Sequence, residues 1–203
     1  MTAASTPKGE RRRHLLVVAA AQLLSEGGFA AVRHRAVAER AGLPLASTTY
    51  YFDSIEELIT AAVRHEAEQE LEAGRQRLHH LSERSYDTGD VVELVLDLLL
   101  GEDSRDGGVD SVLLRYERLV GSPRRPYLAE PMREMAARLH ELIDEIFRRS
   151  GMDVDRERMF ELIALVDGAV VNALIESDPD PRGAARRMLR TQLERDSSSR
   201  EGQ

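Results

Sequence analysis

Between Val32 and Phe52 the chain reads VRHRAVAERAGLPLASTTYYF, and this stretch holds the side chains best suited to grip a polyanion. Arg33 and Arg35 offer long cationic arms to phosphate oxygens. Leu45, Ala46, Ser47 and Thr49 are small, apolar or hydroxylated. A hydroxyl donates or accepts at a base edge, and Leu or Ala can meet a thymine methyl. Tyr50 and Tyr51 follow, one hydroxyl available to donate to phosphate while the other ring packs. His34 suits a phosphate donor and an exposed loop position equally. Residues 44–51 lack Arg, Lys, Asn and Gln, the usual bidentate base readers, so apolar and shape readout is expected there. Thr48 and Phe52 are assigned to the core.

Side chains of this kind need two short helices to aim them. Val37, Ala38 and Ala41 recur at helical spacing, with Arg33, Arg35, Glu39 and Arg40 on the other side. Gly42 stands where a helix ends in a residue of positive φ, and Pro44 suits the first turn of the next. The second helix spans only Pro44 to Tyr51. Two short helices about a Gly-containing turn make a helix-turn-helix, whose second helix enters a DNA major groove.

With its flanks included, residues 11–58 resemble the DNA-binding domain of the TetR-like (tetracycline-repressor) family of bacterial transcription regulators. The likeness rests on an alanine-rich first helix (RRRHLLVVAAAQLLSEGGF), on AVAERAGLP, and on STTYYF followed by DSIEEL. Three departures stand out: the family commonly has Ser or Thr where Arg33 stands, Gly at Ala46 and Lys at Ile55. The last removes a phosphate contact, for which Arg33 is a candidate replacement.

The resemblance implies an all-α fold, with a three-helix DNA-binding head and a larger helical body for ligand binding and dimerisation. The head is assigned to residues 10–53 and the body to 54–195. Family position favours Tyr51 over Tyr50 as the phosphate donor. A homodimer is implied through the last two helices, about 155–176 and 181–194, with Phe160, Gly168, Val171, Met188 and Leu189 as candidate interface residues. A small-molecule effector in the body is implied as well, with Arg115, Tyr116 and Asp167 as candidate polar contacts. The function implied is repression of transcription at a palindromic operator, relieved by the effector. Two rivals share the fold: an effector-independent DNA-binding regulator, and a helical binding protein whose head does not read DNA.

The rest of the chain agrees with an all-α protein. Aromatics are only 4% of 203 residues, and no alternating β-branched run occurs. Ser54 to Glu57 reads as a capping box opening a helix to about Leu81. Further helices are expected over 91–100, 109–120, 127–149, 155–177 and 181–194. Leu15, Val18, Ala19 and Leu23, with Gln22, are assigned to the buried side of the first helix, which Gly27-Gly28 ends. Phe29 is a core plug, and Arg11–Arg13 fits phosphate contact or plain solvation. Composition makes 1–9 and 196–203 structureless tails, and 85–89 and 101–108 loops.

Charge is unevenly divided. Residues 1–53 carry seven basic and four acidic side chains, +3, which leaves −11 for the remainder of a chain of net −8. Such a division favours anion contact at one end. There are no cysteines, so disulfides and thiolate metal sites are excluded and a reducing cytoplasm is expected. No apolar run approaching about 20 residues is read in the sequence, so no membrane span is expected. His65, His79 and His80 lack the carboxylate or cysteine pattern of a metal site. Phosphate loops, paired metal ligands and a nucleophile with its base are missing, so neither enzyme activity nor a cofactor is expected.

Overall fold

The computed structural model describes residues 6–81, 87–106 and 108–201, and every regular element among them is helical. The helices are α1 (Pro7–Ala31), α2 (His34–Arg40), α3 (Ala46–Tyr51), α4 (Ile55–Leu81) and α5 (Thr88–Leu100). They continue as α6 (Gly108–Gly121), α7 (Ala129–Arg149), α8 (Arg156–Ile175) and α9 (Pro181–Glu201). Each expected helix is present, with ends that shift where a cap decides them.

Two compact units divide the chain. One joins the residues up to Gln69 with Leu114–Met135, and the other joins Glu70–Leu113 with the residues from Ala136 onward. The division between the two units falls within α4.

The first unit is built on α1. Its buried residues include Leu16, Val17, Ala19, Ala20, Ala21 and Leu24, so Ala19 is buried as expected and Leu23 packs against the core, while Leu15 is 45% exposed and Gln22 is exposed. The expected inner face is thus met only in part. The run LLVVAAAQLL is apolar on nearly every side, so spacing alone does not select a stripe. By length and composition α1 also passes as a membrane-crossing helix, against expectation, yet its buried face joins the core of this unit. Gly27 and Gly28 leave helical geometry, Gly28 at φ +63°, and break α1 where expected. The core adds Val32, Val37, Phe52, Leu58, Ile59 and Ala62, with Phe29 packed against it. Leu128 is fully buried in the same core, so the segment before α7 is part of this unit.

Both tails are shorter than composition indicates. Residues 1–5 lie outside the described residues. The Thr6 hydroxyl accepts from Gly9 N at 3.1 Å and starts α1 at Pro7, with proline in the first turn. At the other end α9 continues to Glu201. Asp196 pairs with Arg158 of α8 at 2.9 Å, and the hydroxyls of Ser197 and Ser198 donate to the carbonyls of Leu193 and Glu194. Serines that read as tail are held by back-bonding to their own helix. Residues 202 and 203, and residues 85 and 86 of the expected loop, lie outside the described residues. Asp87 is the cap of α5, in a capping box with Asp90.

The second unit centres on α5, whose residues from Val91 to Leu100 are buried except Glu93. One of them is charged. The Asp97 carboxylate is fully buried and accepts from Arg77 at 3.0 Å, Arg105 at 2.7 Å and Arg182 at 2.8 Å. Arg182, itself only 3% exposed, also donates to Ser104 and Glu93. The expected acidic loop at 101–108 is, over Glu102–Arg105, a short 3₁₀ turn pinned to α5 by this cluster.

Candidate nucleic-acid interface

Local geometry of the helix-turn-helix follows from its sequence. Arg33 occupies the cap position of α2 in extended backbone, with no side-chain cap hydrogen bond. Ala41 closes α2, and Gly42 turns the chain at φ +65°. Leu43 N donates to Ala38 O at 2.9 Å and Gly42 N to Glu39 O at 3.2 Å, the paired bonds of a Schellman ending. Ser47 N then donates to Pro44 O at 2.8 Å, so the next helix winds up from the proline as expected.

Exposure divides the candidate contacts. Leu45 is 53% and Tyr50 62% exposed, and Ala46, Thr49, Arg33 and Arg35 are exposed with them. Ser47 is half-buried. Thr48 is fully buried and donates its hydroxyl to Leu45 O at 2.8 Å. Of the tyrosine pair, Tyr51 is half-buried against the core and Tyr50 projects, their rings edge to face with centroids 4.9 Å apart. Spacing of three and four residues puts Thr48, Tyr51 and Phe52 on one inner side, which leaves Tyr50 outside.

Neighbouring cations are partly committed. Arg33 Nε donates to Ala30 O at 3.1 Å, and Arg40 holds Glu26 through two bonds of 2.8 Å. Arg13 lies 4.7 Å over the Phe52 ring, whereas Arg11 and Arg12 are exposed. Ile55, at the position where the resemblance leads one to look for Lys, packs against the core. Ser54 Oγ accepts from Glu57 N at 3.1 Å and Glu57 accepts from Asp53 N at 2.8 Å, so the expected cap forms with its return bond one residue earlier.

In the first unit, sequence reasoning missed a carboxylate that ties three helices together. Glu66 of α4 accepts from Ser25 of α1 at 2.8 Å and from Arg118 of α6 at 2.7 Å. The three residues are far apart in sequence, and only packing joins them.

The candidate interface and effector residues fall on different surfaces. Phe160 is 41% and Val171 40% exposed on α8, Gly168 is exposed between them, and Ile175 continues the same side at 74%. A side chain added at Gly168 would meet no atom of its own chain within 4 Å. A cleft of about 510 Å³ opens between α8 and α9, lined by Asn172, Met188 and Thr191 among others. Leu189 is a correction: at 1% exposure it faces inward with Ala185 and Leu193 and offers a partner no surface. Tyr116 is buried, and Arg115 and Asp167 are half-buried; none of the three lines this cleft. Among the described residues no group of three or more His, Asp or Glu could hold a metal ion.

Comparison with known proteins bears on this geometry directly. Residues 16–62 match the family described as bacterial regulatory proteins, tetR family, and residues 86–195 match the tetracyclin repressor-like C-terminal domain. The multidrug binding protein EbrR complexed with ethidium is 29% identical, with 90% of this chain and 97% of that chain covered and a TM-score of 0.63. The transcriptional regulator SCO7518 from Streptomyces coelicolor A3(2) is 24% identical over 90% of this chain and 98% of that one, with a TM-score of 0.65. A TetR-family regulator from Mesorhizobium loti MAFF303099 shares the fold at 16% identity, with 96% and 98% covered and a TM-score of 0.69. No curated protein sequence matches. A helix-turn-helix with an outward second helix, on a chain matched at both ends by the family's two domains, places this protein in the TetR family of DNA-binding transcription regulators.

Proposed function

We propose that this regulator binds a palindromic DNA operator as a cytoplasmic homodimer, represses transcription there, and is released by a small-molecule effector. The observation that carries the reading is the outward face of α3, with Leu45, Ala46, Thr49 and Tyr50 exposed while Thr48 anchors the helix inside. In this reading Arg33, Arg35 and the Tyr50 hydroxyl meet phosphate, and Leu45, Ala46, Ser47 and Thr49 meet base edges. A recognition helix this short makes few contacts, so two copies are needed, with their helices about 34–36 Å apart or a multiple of it.

The exposed apolar side of α8 supports pairing. Phe160, Val171 and Ile175 lie on it around Gly168, whose missing side chain leaves room that nothing in the same chain fills. A partner's α8 packed there, with its α9 along Met188, would bury that apolar surface. Support for the effector comes from relatives: EbrR has been solved with ethidium, with proflavin and with malachite green. No catalytic role is proposed.

Selection from random double-stranded DNA with the purified full chain tests the reading. Enrichment of an inverted repeat is expected; recovery of no sequence above background refutes it.

A further inference from the structure

No charged side chain stands between Arg40 and Asp53, and Arg40 itself is tied to Glu26 through two bonds of 2.8 Å. Leu45 already has helical backbone, at φ −52° and ψ −40°, so Leu45 and Thr49 form one four-residue step of α3 and Ala46 and Tyr50 the next. All four are exposed, and Leu45 and Ala46 end in methyl groups. Thr49 keeps a methyl group too, while its hydroxyl turns back and donates to Ala46 O at 3.3 Å, which spends the proton within the helix. In the major groove guanine presents two acceptors, N7 and O6, which call for donors. Thymine presents a C5-methyl group, which calls for apolar contact. The exposed face of α3 suits thymine.

We propose that α3 reads its half-site through thymine methyl groups, so that the operator carries A·T pairs where Leu45, Ala46 and Thr49 lie over the bases. The inference rests on the operator-binding reading above and names the bases which that reading requires. Side chains four residues apart on a helix have Cβ atoms roughly 5–6 Å apart, and bases along one strand rise by roughly 3.4 Å. Leu45 and Thr49 therefore cover about two base-pair steps, with Ala46 alongside. A thymine methyl set against them leaves water together with the apolar surface it meets, which stabilises the complex without a hydrogen bond. Cytosine in the same place lacks the methyl. Guanine there would turn N7 and O6 toward apolar carbon and lose their water without replacement.

A base-analogue scan of the inverted repeat selected by the full chain tests this. Uracil in place of thymine deletes the C5-methyl group and keeps the base pair, whereas 7-deazaguanine in place of guanine deletes the N7 acceptor. At least two thymines in each half-site are expected to be sensitive. Uracil at one of them, placed in both half-sites, should weaken binding by about tenfold, roughly fourfold for each methyl group lost from contact. 7-Deazaguanine should leave affinity unchanged. Leu45→Ala and Thr49→Ala, both at exposed positions, should each shrink the thymine–uracil difference at one position per half-site, with unchanged melting curves. A repeat with no uracil-sensitive thymine, or one weakened by 7-deazaguanine instead, overturns the methyl readout and leaves the operator reading standing. Uracil losses that neither variant diminishes overturn it as well. Recovery of no repeat from random DNA overturns both.

Discussion

Two residues in left-handed backbone show what a single side chain can and cannot announce. Gly42 turns at φ +65°, and glycine before Leu43-Pro44 is a readable helix stop because only Gly adopts that conformation freely. Ser177 does the same at the end of α8, at φ +58°, with Asp178 N donating to Ala173 O at 2.8 Å. Nothing in a serine signals that geometry. Gly42→Ala should therefore destabilise the protein by about 1 kcal/mol, and Ser177→Gly should stabilise it by up to about 1 kcal/mol, read from denaturant midpoints. Equal effects of the same sign would contradict both backbone assignments. The tyrosine pair teaches the converse: family position points to Tyr51, whereas the helical spacing from buried Thr48 already turns Tyr51 inward and Tyr50 outward.

At the scale of elements, long amphipathic helices were readable and uniformly apolar ones only in part. The α1 run LLVVAAAQLL carries only Gln22 as a polar marker, so its inner face was legible in part: Ala19 is buried as expected, whereas Leu15 and Gln22 are exposed. The α5 cluster was illegible for another reason. Asp97 meets Arg182 across 85 residues, and in PRGAARR that arginine reads as one of several solvated cations. Asp97→Asn would leave Arg77, Arg105 and Arg182 around a neutral amide and should cost about 3–5 kcal/mol, the range for breaking a buried ion pair. A melting curve like that of the unaltered protein would contradict it.

The same cluster gives a pH signature. Burial pushes the Glu93 carboxyl up, but hydrogen bonds from Arg186 and Arg182, with their charges, outweigh it and hold the carboxyl at about 2, down from 4.5. A folded value below the unfolded one contributes stability above the unfolded value, and that contribution is lost as pH falls from 4.5 toward 2. Glu93→Gln should flatten the acid limb of the stability profile in that window. An unchanged slope would remove Glu93 from the account. On α8, Gly168→Leu should abolish pairing and give a monomer by sedimentation, because the leucine would fill the space assigned to a second copy. A dimer of undiminished affinity would move the interface elsewhere.

For the whole molecule, the sequence carried the fold and the location of the head because three landmarks recur there at fixed spacing. The interior of the second unit depends on contacts across many tens of residues, which no local pattern encodes. The proposed DNA contacts follow the same division, since Arg35 and Thr49 lie within one local motif. Arg35→Ala should weaken every DNA site alike, whereas Thr49→Ala should relax preference at one base position, by about 1–3 kcal/mol of discrimination. The most direct check is a fluorescence anisotropy titration of the selected inverted repeat with the full chain, at salt rising from about 50 to 200 mM. The account predicts two chains per repeat and affinity falling by about a hundredfold over that range, as four arginine–phosphate contacts from two heads require. One chain per repeat, or an affinity indifferent to salt, would contradict it.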